Sequence, residues 1–248
     1  MTVLVLFAAY ALALSIGLAR AGHRSHTRPI RDAPDRAIRR VLIVGATGGT
    51  GQQLVRQALE RGYAVTALVR TPAKMTVVHP QLTVMPGDVL DEAAVARAVR
   101  GQDAVVSALG HRRYLGPTRI LSNGTRNLVR AMQAHGVRRL ICETSLGIGD
   151  SAGRMGVYYT FFVIPLILPF YFWDKTRQER VIASTDLEWI IVRPGALTNG
   201  APRGRYRHGG RVGSVVQTVR ISRADVAAFM LDQLTGQSYL RTAVGVSW

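Results

Sequence analysis

Val41 to Gly51 reads Val41-Leu42-Ile43-Val44-Gly45-Ala46-Thr47-Gly48-Gly49-Thr50-Gly51, an apolar run of buried-strand type followed by glycines at three-residue intervals. Leu54, Val55, Ala58 and Leu59 follow at helical spacing, and Gly62 is a stop signal. Strand, glycine turn and helix present free backbone N–H groups, at the positive end of a helix dipole, to a pyrophosphate. Glycine is needed there because a side chain would hold the phosphate away from the backbone. The spacing is Gly-x-x-Gly-x-x-Gly and no Gly-Lys-Ser/Thr follows, which excludes a P-loop. A dinucleotide site is the expectation. Further along, Tyr171 and Lys175 stand at i and i+4, one helical face on which an ammonium would lower the pKa of a phenol and make it a usable proton donor. Tyr171 equally suits packing within its apolar run. Ser145 lies just past a predicted strand, where its hydroxyl could bond a substrate carbonyl or the nicotinamide amide, or cap a helix.

These residues must be held by an alternation of strands and helices, the pattern of a parallel sheet covered on both faces. Ala64 to Val69 reads as the second strand, Leu82 to Met85 as the third, Ala104 to Ala108 as the fourth, Leu140 to Thr144 as the fifth and Trp189 to Val192 as the sixth. A last strand is expected over Thr242 to Val246. Helices are expected from Asp91 to Gly101, over Asn123 to His135, and from the Ser222-Arg223-Ala224-Asp225 capping box to about Leu234. In such sheets ligands sit outside the carboxyl ends of the strands. Arg70, and less surely Lys74, stands after the second strand, where an NAD site would carry an acid for the ribose 2′-hydroxyl. A cation there can pair with a 2′-phosphate, so NADPH is the expected cofactor. A solvated arginine at a strand end is the plainer alternative. Asp88 could accept from an adenine amino group or serve its own loop. Gly110 would approach the cofactor, and Arg112 would face a phosphate or an acidic substrate. His111 has no partner spacing and is assigned nothing.

The chain has 248 residues, enough for one α/β domain. The expected class is therefore α/β, a Rossmann-type doubly wound parallel sheet in a single domain over residues 41–248, preceded by a hydrophobic membrane anchor or signal-like segment at 1–21 and a basic linker at 22–40. Thr2 to Ala19 is uncharged and almost wholly apolar, near the lower length limit for spanning a bilayer. An arginine-rich run follows it, so the positive-inside rule would leave the bulk of the chain at the cytoplasmic face of the membrane, or in the cytoplasm if the segment is absent from the mature protein. A start further down the chain would make these residues an extension of the reading frame. Met155 to Trp173 is also uncharged, but Pro165 and Pro169 argue against a straight span. A hydrophobic flap over a substrate pocket is the first reading, and membrane-surface contact through residues 155–173 beside residues 2–19 the second.

The formal charge of +17 raises the question of nucleic acid. Arg20 to Arg40 holds seven arginines against Asp32 and Asp35, a net of +5, and the other cations are scattered without aromatic interleaving. No nucleic-acid partner is expected. The single cysteine, Cys142, excludes an intramolecular disulfide and cannot build a metal site alone. It lies in an apolar run and reads as core.

Taken in order, Gly45 to Gly51, Leu68-Val69-Arg70, Gly87-Asp88-Val89, Gly101 to Val105, Ala134 to Val137, Thr144-Ser145, Lys175-x-x-x-Glu179 and Arg193-Pro194-Gly195 resemble the atypical short-chain dehydrogenase/reductases with an NmrA-like NAD(P)-binding domain. Within that family the pattern is most similar to the NADPH-dependent flavin reductase and biliverdin reductase B group. The resemblance runs from about Val41 to Leu234. It implies that Gly45, Thr47, Gly48, Thr50 and Gly51 hold the pyrophosphate, Arg70 the 2′-phosphate and Asp88 the adenine side, with Gly110, Arg112 and Ser145 near the nicotinamide. It also implies hydride transfer to a planar small-molecule acceptor that takes its proton from water. The sequence departs from that group at Lys175 and Gly195, where the reductase carries pocket histidines. Other relatives carry Tyr-x-x-x-Lys, which Tyr171 and Lys175 match, and there a serine such as Ser145 orients a carbonyl substrate. The expected activity is NADPH-dependent reduction of a flavin-like, quinone-like or other conjugated acceptor. The alternatives are a non-catalytic NAD(P)-binding sensor or assembly factor and a carbonyl reductase using Ser145, Tyr171 and Lys175. A sugar-nucleotide epimerase fits less well, because the 53 residues after Gly195 are too few for a substrate domain.

Overall fold

The computed structural model describes residues 2–21, 37–111, 113–114 and 116–248. Arg112 and most of the expected linker lie outside the described residues.

In chain order the elements are α1 (Thr2–Ala21), β1 (Arg40–Val44), α2 (Gly49–Glu60), β2 (Ala64–Val69), β3 (Leu82–Pro86), α3 (Glu92–Val99), β4 (Ala104–Ser107), α4 (Ile120–Ala134) and β5 (Arg139–Glu143). A π-helical segment (Tyr159–Ile167) then leads into α5 (Pro169–Ala183), β6 (Glu188–Pro194), β7 (Ala196–Thr198), β8 (Arg207–Gly209), β9 (Arg220–Ser222), α6 (Arg223–Asp232) and β10 (Thr242–Ser247). The main sheet has the order β3-β2-β1-β4-β5-β6-β10-β8, parallel except for β8, while β7 and β9 pair separately. This is the doubly wound α/β sheet expected. Its order reverses between β1 and β4, the place where such sheets open a ligand crevice.

Alternation along β1 shows how the sheet is covered. Val41 and Ile43 face one apolar layer, with Leu54 and Val55 of α2 and Phe229 and Met230 of α6. Leu42 and Val44 face the other, with Val95 of α3, Leu128 and Met132 of α4 and Ile182 of α5. A strand buried on both faces reads as a continuous apolar run, which is why β1 was legible. Caps fix the helix starts: Asp91 accepts from Ala93 N at 2.9 Å and Ala94 N at 3.1 Å, and Ser222 Oγ accepts from Asp225 N at 2.9 Å. Cys142 is buried in the core, where burial pushes its thiol up to about 12.

The N-terminal segment behaves differently from a free anchor. Leu14 and Leu18 of α1 pack with Ile148, Ile164 and Phe172 in a small core of their own. Tyr10 donates to the Pro165 carbonyl at 3.2 Å, and Arg180 donates to the Ala21 carbonyl. Among the described residues no helix is long and apolar enough to cross a membrane. Residues 2–21 thus form a helix docked through Leu14 and Leu18 on the π segment and α5. The run from Met155 is likewise not a straight helix. Pro165 sits inside the π segment, as expected for a residue that breaks the ordinary ladder, and Pro169 opens α5.

Candidate active site

The glycine turn closes on itself between β1 and α2. Gly45 has φ +79, and a Cβ there would meet the Ala108 carbonyl oxygen at 2.4 Å, beyond the end of β4. A Cβ at Gly51 would meet the Gly45 carbonyl oxygen at 2.1 Å. These two glycines therefore serve the fold of the turn, letting helix and strand end approach. Gly48 is the N-cap of α2 and offers no side chain to the first-turn N–H groups, and no acidic residue lies in that turn. Those donors and the helix dipole are left for an outside anion, so the residues present fit a dinucleotide pyrophosphate.

Thr50 differs from the expectation in one respect. Its buried hydroxyl donates to Glu143 Oε1 at 3.1 Å, at the end of β5, so its side chain is held inward and its backbone is what faces the turn. Thr47 is half-buried in the same loop. Arg223, at the start of α6, lies against the turn from the other side. A Cβ on Gly49 would meet Arg223 Cδ at 2.5 Å, and the guanidinium donates to Asn199 Oδ1 at 2.6 Å. Arg70 is exposed just past β2 and makes no ion pair among the described residues. Lys74 is exposed in a short turn, Pro72–Lys74. Asp88 is engaged locally, accepting from Leu90 N at 2.9 Å, the loop role left open by the sequence.

At the other end of the crevice, α5 brings Tyr171 and Lys175 together, as their spacing required. Lys175 Nζ lies 5.3 Å from the Tyr171 ring centroid and donates to the Glu143 carbonyl at 3.3 Å. Burial works against its ammonium, but Tyr171 and Glu143 outweigh that and hold Lys175 above its usual range. Burial pushes the Glu143 carboxyl up, against the pull of Lys175, Thr50 and Arg223. A Cβ on Gly110 would stand 3.5 Å from the Tyr171 hydroxyl, so Gly110, Tyr171 and Lys175 share one corner. Ser145, half-buried two residues past β5, makes no side-chain hydrogen bond among the described residues. The His111 and Tyr114 rings meet Tyr171 edge-on at 5.0 and 5.9 Å.

Several residues in this corner escaped the sequence. Asp174 accepts from Leu121 N at 2.9 Å, Ser122 N at 3.2 Å and Ser122 Oγ at 2.6 Å, capping α4 from another helix. Thr118 Oγ1 lies 3.0 Å from His111 Nε2 and 3.4 Å from Asp174 Oδ2. Burial lowers His111, and Asp174 only partly offsets it. Glu179 accepts from Arg193 Nε at 2.9 Å and its terminal nitrogen at 2.6 Å, and from Thr144 Oγ1 at 2.7 Å. Two motif landmarks are therefore one buried ion pair that fixes α5 to β6.

An uncapped glycine turn at the sheet's switch point defines a Rossmann-type domain of the kind that accommodates a dinucleotide. The chain belongs to the NAD(P)H-binding family, whose model matches residues 45–237, and the resemblance to the NmrA-like atypical short-chain dehydrogenase/reductases holds. It is 33% identical over 189 residues to the 3-diazoavenalumate denitrifying reductase of a Streptomyces species, covering 69% of this chain and 60% of that protein. It is 33% identical over 165 residues to the photosystem II assembly factor Ycf39 of Synechocystis, covering 65% of this chain and 46% of that protein. The chain thus spans less than two thirds of the length of either relative. Its fold matches a short-chain dehydrogenase/reductase of Veillonella parvula crystallised with NADP, with TM-score 0.70, 19% identity, and coverage of 86% and 95% of the two chains.

Proposed function

We propose that the protein is an NADPH-dependent reductase of a conjugated, flavin-like or quinone-like acceptor. The observation that carries the acceptor class is the cluster of His111, Tyr114 and Tyr171 rings at the corner where Gly110 meets α5. Aromatic edges and faces suit a planar ring held by stacking. NADPH supplies the hydride when bound. The backbone of Thr47 to Gly51 would hold its pyrophosphate with Arg223 adding positive charge, and Arg70 would hold the 2′-phosphate. Asp88 would border the adenine, and Gly110 the nicotinamide end. One of the relatives is a reductase, which supports the reading.

Carbonyl reduction is the second reading, favoured by the contact of Tyr171 with a buried, charged Lys175. Tyr171 would hand its phenolic proton to the substrate oxygen, with the Lys175 ammonium beside its ring, and Ser145 would orient the carbonyl. The cytoplasmic face of a membrane is our proposal for where the protein works, because the arginine-rich run after Ala19 would be drawn to anionic headgroups. The test is a panel of FMN, biliverdin, quinones and ketones with NADPH and NADH. Turnover of planar acceptors with NADPH is expected. Tight NADPH binding with no turnover on any acceptor would place the protein with the assembly-factor relatives instead.

A further inference from the structure

The largest feature that the cofactor crevice does not use is an exposed apolar face made by three segments. On α1, Leu6 is 65% exposed and Tyr10 is 47% exposed. On the π segment beside it, Phe162 and Leu166 are 47% and 60% exposed. Phe7 and Phe162 are in ring contact at 6.1 Å, so the two helices form one surface. Val216, 72% exposed, joins it through the backbone bond from Val157 N to its carbonyl at 3.2 Å. A soluble monomer does not leave so many large apolar side chains contiguous in water without a partner for them.

Charge decides which partner. Between Thr2 and Ala19, and between Met155 and Trp173, there is no charged residue at all. Arg20, exposed in the last turn of α1, and Arg154, just before the π segment, lie at the sequence borders of this surface, and the chain carries +17 overall. A second copy of a +17 chain would be repelled at low ionic strength, whereas an anionic lipid surface would be attracted. Tyr10 and Tyr158 have the amphipathic side chains that settle at the headgroup level. With no described helix able to cross, the mode of contact is in-plane seating.

The geometry points to the α1–π-segment face as a monotopic docking surface for an anionic bilayer, with the acceptor corner opening beside it. At the start of α5 Phe170 is exposed, its neighbour Tyr171 stands at the Gly110 corner, and Phe172 packs with Leu14 and Leu18 of α1. Insofar as the reductase reading holds, this deepens it: the acceptor class is lipid-soluble, drawn from the membrane.

Vesicle co-sedimentation of the full chain tests the surface without any turnover. The wild type should pellet with phosphatidylglycerol vesicles, less so in high salt, and weakly with phosphatidylcholine vesicles. The Phe162→Glu/Leu166→Glu variant changes only exposed side chains, so NADPH binding should be unchanged while vesicle partitioning falls about tenfold or more. Unaltered pelleting of the variant would overturn the proposal. So would a wild type that ignores both vesicles, or one that is a dimer in ultracentrifugation and becomes monomeric on this substitution. A quinone with a long isoprenoid tail, embedded in phosphatidylglycerol vesicles, should be reduced about tenfold more slowly by the variant, with a short-chain soluble quinone unaffected. Equal loss on both quinones would overturn the membrane route. Vesicle binding without reduction of either quinone would leave the surface standing and remove the reductase reading.

Discussion

Thr50 donates its hydroxyl to Glu143 across 3.1 Å, tying the phosphate-facing turn to the end of the central strand β5. Glu143 is wholly buried and its pKa is raised by that burial, so folding is coupled to its proton. A carboxyl whose folded pKa exceeds its unfolded value contributes its full stability below the unfolded value and loses it as pH rises through the folded one. Stability should therefore decline as pH rises above the ordinary carboxylate range. Glu143→Gln, which cannot titrate, should flatten that part of the curve. Thermal melts of both proteins between mildly acidic and neutral pH check this. Parallel curves would show that Glu143 stays ionised throughout.

Arg70 stands exposed at the end of β2, with no competing carboxylate among the described residues to satisfy first. Arg70→Ala should weaken NADPH by roughly 1.5–3 kcal/mol, the worth of a charge-assisted hydrogen bond, and leave NADH nearly unchanged. Fluorescence titration with both nucleotides gives the answer. Equal losses would mean that Arg70 does not touch the 2′-phosphate.

Tyr171→Phe removes a hydroxyl and keeps the ring against His111 and Tyr114. Reduction of planar acceptors should persist. Ketone reduction, if the protein performs it, should fall by about 10²–10⁴, the usual contribution of a positioned general acid. Steady-state rates on one acceptor of each kind separate the two readings, and a ketone rate indifferent to the change would take Tyr171 out of proton transfer.

Glu179 holds Arg193 by two hydrogen bonds deep between α5 and β6, and burial of the arginine is overcome by this partner, which raises it. Glu179→Ala removes one of the carboxylates that meet the buried guanidinium and leaves Asp150 beside it, and breaking such a buried pair costs up to about 3–5 kcal/mol. Denaturant unfolding should register the loss, with NADPH affinity of the folded fraction little altered. A variant as stable as the wild type would show that Asp150 alone suffices for Arg193.

What could be read from the residue order was whatever is local. The apolar run before Gly45, the Asp91 and Ser222 caps and the i, i+4 pair Tyr171 and Lys175 each announce themselves within a few positions, and each is found in place. Glu143, Asp174 and Arg223 could not be found that way. Their partners, Thr50, the start of α4 and Gly49, lie 93, 52–53 and 174 positions away in sequence, and only the sheet order brings them together. One signal was available: a glutamate that closes the apolar run Leu140-Ile141-Cys142 needs a partner if it is to be buried. The seat of the N-terminal segment was hidden for a related reason. An apolar helix that docks on its own domain and one that crosses a bilayer share the same composition, and the docking site on Ile148, Ile164 and Phe172 is remote in sequence.

The distance between α1 and its seat has a consequence for synthesis. Tyr10 and the Pro165 carbonyl it binds are 155 positions apart. At the usual pace of translation, about 5–20 residues per second, an apolar helix waits roughly 8–30 s for the segment that covers it. Through that interval its whole circumference is open to chaperones, to aggregation, or to the nearest lipid. The first contact the nascent chain makes is therefore settled before the cofactor turn has a finished sheet behind it.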